Sequence, residues 1–257
     1  MLRELYRSFL DLLFPSFCGV CGSFLFVEHR AVACKDCWER EFRKYEGAVC
    51  RVCGHPLELL PGAGELCRRC VEEKRKFSFD GVFYYTLYEG LPEFAIRELK
   101  FENYRLVAYE IGRQIAGHLK EVISRVGAHL VVPVPVHRST LKERGFNQTE
   151  EILKGAGVPF SPLLEKPFKG EKQSTMDFLK RRENVRNLFR VKNGGELSGR
   201  TVLLFDDVFT TGATADEISR LLKREGAERV FVYTVAYTPL RLLTEKKAGN
   251  PVALRKG

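Results

Sequence analysis

Two adjacent carboxylates, Asp206 and Asp207, close the apolar run Val202-Leu-Leu-Phe205 and lead into Val208-Phe-Thr-Thr-Gly-Ala-Thr214. Four apolar residues bounded in this way read as a buried strand. The small residues Thr210, Thr211, Gly212, Ala213 and Thr214 read as a turn into a helix from about Ala215 to Arg224. A helix opening on such a turn presents free backbone N–H groups and the positive end of its dipole, which suits a phosphate. The Thr hydroxyls add donors, and Gly212 lets the backbone come close. Carboxylates just before that seat would repel a bare phosphate. They make sense if the ligand also carries sugar hydroxyls or a metal ion, a combination that suits a ribose 5-phosphate.

A second chemical pattern fills the other end of the chain. All eight cysteines fall before residue 71, as Cys18/Cys21, Cys34/Cys37, Cys50/Cys53 and Cys67/Cys70, with gaps of twelve, twelve and thirteen residues between pairs. A C-x-x-C knuckle lets two thiolates grip one tetrahedral ion, and two knuckles complete it. Gly22 and Gly54 follow two of the pairs and fit the tight turn of a knuckle. The spacing resembles a double zinc ribbon holding two structural Zn2+ ions, with no coordination position left open for chemistry. Sequential pairing needs the shortest loops; interleaved pairing meets the same count. Disulfides would need an oxidising compartment, and the first residues do not read as an export signal. Regular paired knuckles favour zinc over iron–sulfur ligation. A segment this small has little core of its own, so metal would supply its folding energy. His29 and His55 are surplus to two filled sites and read as surface or turn residues.

The elements that must position these residues alternate in type. Met1–Phe14 has apolar positions at helical spacing and reads as a short amphipathic helix docked on the next domain and stopped by Pro15. Glu72-Glu-Lys-Arg-Lys76 reads as a solvated linker. Phe79 to Tyr88 is alternating and aromatic, a strand. Leu91–Lys100 and Leu106–Ile123 read as helices, and Leu130-Val-Val-Pro-Val-Pro135 as a buried strand that breaks at its prolines. A loop from Val136 to Gln148, a helix from about Asn147 to Lys154 and a strand from Val230 to Ala236 complete the set. Alternating strand and helix predicts a mostly parallel sheet with ligand loops at the carboxyl ends of its strands. The expected division is an N-terminal helix and ribbon domain over 1–76, an α/β domain over 77–240 and a frayed tail over 241–257.

The formal charge is +9 over 257 residues, which invites a phosphate or nucleic-acid partner. Eight thiolates on two zinc ions would bring it to about +5. Thirteen Lys/Arg against seven Asp/Glu between Arg138 and Lys192 put the surplus mainly in the segment before the phosphate seat. No apolar run approaches the length needed to span a bilayer.

The Asp206–Thr214 stretch closely resembles the phosphoribosyl-pyrophosphate (PRPP) loop of the type I phosphoribosyltransferases. Along the chain, the four C-x-x-C pairs, Leu99-Lys-Phe101, Val132-Pro-Val-Pro135, Arg144-Gly-Phe-Asn-Gln148, Arg181 with Asn184-Val185, and Asp206–Thr214 occur in the order of the ComF family. The resemblance runs over roughly residues 10 to 238. It implies a phosphoribosyltransferase-like α/β fold behind an N-terminal zinc ribbon, and a link to competence for DNA uptake. A glutaminase half like that of the amidophosphoribosyltransferases is not expected, since it would need an N-terminal cysteine and residue 2 is Leu.

By the same resemblance, PRPP binds with Mg2+. Asp206 and Asp207 contact the ribose hydroxyls directly or through the ion, and the backbone at Thr210, Thr211, Gly212, Ala213 and Thr214 holds the 5′-phosphate. Val136, His137, Arg138 and Ser139 bind pyrophosphate, with Arg138 or Arg144 neutralising it; Asp206, Asp207 and Arg144 form the catalytic set. Phe168 to Arg182 matches a mobile loop over the site. The implied partners are PRPP, single-stranded DNA and competence-machinery proteins at the membrane, and the implied location is the cytoplasm or the inner face of the inner membrane. Two readings stay open: an enzyme transferring phosphoribose to an unidentified acceptor with pyrophosphate release, and a non-catalytic PRPP-responsive module that binds single-stranded DNA.

Overall fold

Residues 16–25, 32–101, 105–167 and 188–239 are described by a computed structural model. Within it, four strands are apolar on both faces because other elements cover both. They are β3 (Gly81–Leu87), β4 (Leu130–Pro133), β7 (Thr201–Phe209) and β8 (Arg229–Tyr237). They form one parallel sheet in the order β3-β8-β7-β4. On one face, Leu203, Phe205, Tyr233 and Val235 pack against Ile96, Leu99, Ile111 and Ile152. These come from three helices: α3 (Gly90–Phe101), α4 (Arg105–Val126) and α6 (Gln148–Gly155). On the other face, Val202, Leu204, Val230 and Val232 meet Ile218 and Leu222 of α7 (Ala213–Arg224). Parallel strands buried on both sides are the expected consequence of helical crossovers. Because β7 and β4 are neighbours, the turns leaving their carboxyl ends open side by side.

The cysteine segment is docked on this body. A first half holds the short hairpin β1 (Ser16–Phe17) and β2 (Phe24–Leu25) and helix α1 (Lys35–Glu41); a second half holds α2 (Arg68–Glu72). Trp38 and Phe42 of α1 join Leu91 and Ala95 of α3 in one core. The second half lies against the sheet: a Cβ added at Gly54 would come within 2.8 Å of Val82 Cγ1. Gly22 and Gly54 both hold positive φ, 74° and 72°, as the knuckle turns require.

Several expectations need correction. Val136–Gln148 is not all loop: Arg138–Arg144 is a helix, α5. His137 caps it by accepting from Ser139 N–H, and Gly145 ends it at φ 80°. This is the local stop-and-start chemistry that apolar periodicity misses. The helix after β7 begins at Ala213, two residues earlier than read. A two-strand ladder, β5 (Leu164–Glu165) with β6 (Arg190–Val191), was not legible in so short a run. Glu72–Lys76 is not a plain solvated linker: the Arg75 side chain is 10% exposed and paired with Glu73. His55 is buried at 3% exposure, not on the surface. The Met1–Phe14 helix, His29, Arg181, the Phe168–Arg182 loop and the 241–257 tail lie outside the described residues.

Candidate active site and metal centres

The acid pair sits where β7 runs past the end of β4, still paired with β8, and nears its turn. Its two members have different surroundings. Asp207 is 4% exposed and fully engaged. Lys100 Nζ reaches its Oδ2 at 2.9 Å and its Oδ1 at 3.0 Å, and Gln148 Nε2 donates to Oδ2 at 3.1 Å. Arg144 Nη1 in turn donates to Gln148 Oε1 at 2.6 Å. Asp206 accepts from the Asp207 N–H at 2.8 Å. Burial pushes the Asp206 carboxyl up to about 7, and the neighbouring Asp207 charge adds to it; Lys100 and Lys166 oppose the rise. One acid is therefore a fixed anion held by the scaffold, and the other faces the cleft.

That cleft is lined by Asp206, Val208, Thr210, Gly212, Thr214 and Thr234. Gly212 stands at φ 80° as the residue before α7, where a side chain would be strained. A Cβ there would also meet Phe209 Cζ at 2.7 Å and Phe77 Cε1 at 3.2 Å, so the turn rests on an aromatic floor. Asp216 Oδ1 accepts from Ser78 N–H at 2.6 Å and ties the first turn of α7 to the same floor. The N–H groups at the start of α7 open toward the cleft with the helix dipole behind them, the arrangement that seats a phosphate.

The neighbouring turn from β4 carries Val136, His137, Arg138 and Ser139. His137 is committed to it: Nδ1 takes the Ser139 hydroxyl at 2.8 Å, leaving Nε2–H to donate to Pro167 O at 3.3 Å. Arg138 is 79% exposed and lies 3.7 Å from Glu165. Arg144 is half-buried behind the acid pair. Sequence reasoning missed Lys100, Gln148 and Lys166. Lys100 had a signal, a cation between Leu99 and Phe101 on an amphipathic helix; its partner lies 107 residues away.

The thiols gather into two tetrads, Cys18/Cys21/Cys34/Cys37 and Cys50/Cys53/Cys67/Cys70, each with all sulfurs within 4.8 Å of one another. The pairs combine sequentially, and the interleaved alternative is set aside. Cys21 Sγ lies 3.7 Å from Cys34 Sγ, and Cys53 Sγ lies 3.6 Å from Cys67 Sγ. A tetrahedron of Zn–S bonds near 2.3 Å has edges of about 3.8 Å, so the sulfurs fit the ion. The second tetrad is wholly buried, whereas Cys21 of the first is exposed. His55 is not needed as a ligand: its Nδ1 lies 2.9 Å from Pro56 O, and its ring meets Tyr237 edge-on at 6.0 Å.

Comparison with known proteins matches two stretches of the chain. Residues 9–71 match the double zinc ribbon domain, and residues 129–248 match the phosphoribosyl transferase domain. The chain is 29% identical to competence protein ComFC of Streptococcus pneumoniae, over 52% of this chain and 60% of that protein. It is 27% identical to the DNA utilization protein YhgH of Escherichia coli K12, over 88% and 99% of the two chains. It is 26% identical to competence protein F of Haemophilus influenzae, over 72% and 83%. No helix among the described residues is long and apolar enough to cross a membrane.

Proposed function

We propose that this chain, a member of the ComF family by its two domains and its relatives, binds PRPP with Mg2+ and acts in the handling of DNA during uptake. The observation that carries the reading is the single cleft shared by Asp206 and the Thr210–Thr214 turn at the carboxyl end of β7. A phosphate seat beside one open carboxylate matches a phosphorylated sugar better than a free phosphate or a nucleobase. Thr210 to Thr214 hold the 5′-phosphate. Asp206 accepts from the ribose hydroxyls, while Asp207, clamped by Lys100 and Gln148, supplies fixed negative charge beneath them. Arg144 steadies that clamp through Gln148.

Phosphoribosyl transfer passes through a cation-like transition state at the anomeric carbon. Two carboxylates near the ribose favour such positive charge, and positioning does the rest. Asp206 is the carboxylate left open toward Mg2+, which when bound neutralises the diphosphate. The Val136–Ser139 turn lies on the side of the leaving pyrophosphate. The acceptor is a nucleophile admitted at the opposite face. The names of the relatives, competence and DNA utilization proteins, support a role with incoming DNA. They also sustain the second reading, a PRPP-responsive DNA-binding module without turnover.

Calorimetry with PRPP and Mg2+ tests the site. Wild type binds, and an Asp206→Asn, Asp207→Asn double variant loses at least tenfold in affinity. Equal affinity in the two proteins rules out the carboxylates as ligand groups. Pyrophosphate released only when an acceptor is added separates the enzyme from the binding module.

A further inference from the structure

Three groups on the pyrophosphate side are already spoken for. His137 caps α5, Arg138 is solvent-facing beside Glu165, and Arg144 is tied to Gln148 behind the acids. A diphosphate placed between Asp206 and the Val136–Ser139 turn carries about three negative charges, more than one Mg2+ offsets, and still needs a protein cation, because half-buried anions are stable only when paired. Lys166 is in place for that. A parallel bridge pairs its backbone with His137, so the chain leaving β5 runs directly alongside the β4 turn. The side chain is half-buried, and its ammonium lies 5.3 Å from the centroid of the Phe189 ring, which covers it from one side.

Among the described residues, no carboxylate lies within ion-pair distance of Lys166 and no acceptor takes a hydrogen bond from it. Burial pulls its ammonium below the ordinary lysine range, and the one charge that opposes this is the Asp206 carboxylate. The ammonium is thus oriented by Phe189, acts on the open acid of the cleft and stands beside the turn assigned to pyrophosphate.

The geometry points to Lys166 as a diphosphate-binding residue, contacting the two phosphates at the anomeric end of PRPP. This rests on the PRPP reading of the cleft. It assigns part of the charge-neutralising role to a residue outside the β4 turn, in the segment that leaves β5 alongside it. A charge-assisted contact to phosphate is directional and short, and a neutral side chain of similar length cannot replace it.

The test compares ligands that differ only at that end. Wild type, Lys166→Met, Lys166→Gln and Lys166→Arg are titrated with PRPP and with ribose 5-phosphate, each with Mg2+. Melting temperatures check that the variants are folded; Met keeps the packing on Phe189. Both neutral variants should weaken PRPP binding about 10- to 100-fold and leave ribose 5-phosphate within twofold of wild type. Arginine should retain most of the PRPP affinity. Neutral variants that bind PRPP like wild type, or that lose both ligands equally, overturn the assignment while leaving the cleft intact. A wild type that binds neither ligand overturns the PRPP reading itself, and this assignment with it.

Discussion

The ammonium of Lys100, at the end of α3, lies 2.9 Å from Oδ2 of Asp207 near the carboxyl end of β7, joining the two elements beneath the cleft. Burial pulls the ammonium down, and the Asp207 carboxylate more than offsets it, holding Lys100 above its usual range. Removing one partner of such a pair leaves the other as an uncompensated charge, costing about 3 kcal/mol. Lys100→Met should therefore lower stability in urea by that order. Lys100→Met with Asp207→Asn should recover at least half of the loss, because neither charge is then stranded. Strictly additive losses would mean that the two side chains do not share their energy.

The open acid gives a pH dependence of opposite sign to the usual carboxylate. Asp206 is raised to about 7 by burial and by Asp207, against Lys100 and Lys166, so the folded protein holds its proton more tightly than the unfolded chain. Its contribution to stability is fully present below the unfolded value near 3.9, and is lost as pH rises through about 7. Asp206→Asn keeps the acceptor oxygen for the Asp207 N–H and cannot ionise. The ligand-free variant should match wild type near pH 4 and exceed it by a few kcal/mol at pH 8. A constant difference across that range would show that Asp206 titrates normally. The same variant should bind PRPP less well, so the acid is kept at a cost to the empty fold.

Much of this site could be read before folding, and what could not has one physical character. The β7 strand, its acids and the Thr210–Thr214 turn form one continuous segment, and local patterning dictates them. The eight ligands follow from knuckle spacing alone. Pairing of the knuckles, the burial of His55 and the clamp on Asp207 are contacts between distant segments. Periodicity carries no information on those. Arg138–Arg144 was lost for another reason. Its apolar pattern is absent, and only the cap at His137 and the left-handed Gly145 mark its ends.

The second metal centre should matter to the proposed phosphate seat. Phe77 packs both on the Cys50/Cys53/Cys67/Cys70 cluster and beneath Gly212. Tyr237 stacks on Phe209 at 5.4 Å and also meets His55 edge-on, next to the knuckle. Elemental analysis should find two zinc ions per chain. A chelator should strip the first before the second, since Cys21 is exposed and all four thiols of the second tetrad are buried. PRPP affinity should fall mainly with loss of the second ion. Replacing Cys50 and Cys53 by Ser should reproduce that loss while the α/β body stays folded. Unchanged affinity in this variant would show that the floor stands without its metal.

DNA binding is the prediction that separates the two functional readings. Arg138, Lys142 and Lys192 are solvent-facing cations of the basic segment, and Arg138 and Lys142 share helix α5 beside the cleft. Phosphates of a single strand can lie along them without any base being read, so binding should be weak, sequence-tolerant and steeply salt-dependent through counterion release. The same segment also borders the proposed diphosphate site, and one tetra-anionic ligand accounts for several positive charges. A titration of a labelled oligonucleotide with PRPP at about 50 mM salt, where electrostatic binding is strong, resolves the overlap. Displacement means that strand and sugar phosphate compete for one surface, and PRPP level then controls DNA release. Joint binding places DNA on a separate face, and α5 charge-reversal variants such as Lys142→Glu should weaken the oligonucleotide alone. No retention of single strands at that salt would remove DNA as a direct partner and leave PRPP chemistry on an acceptor other than the incoming strand.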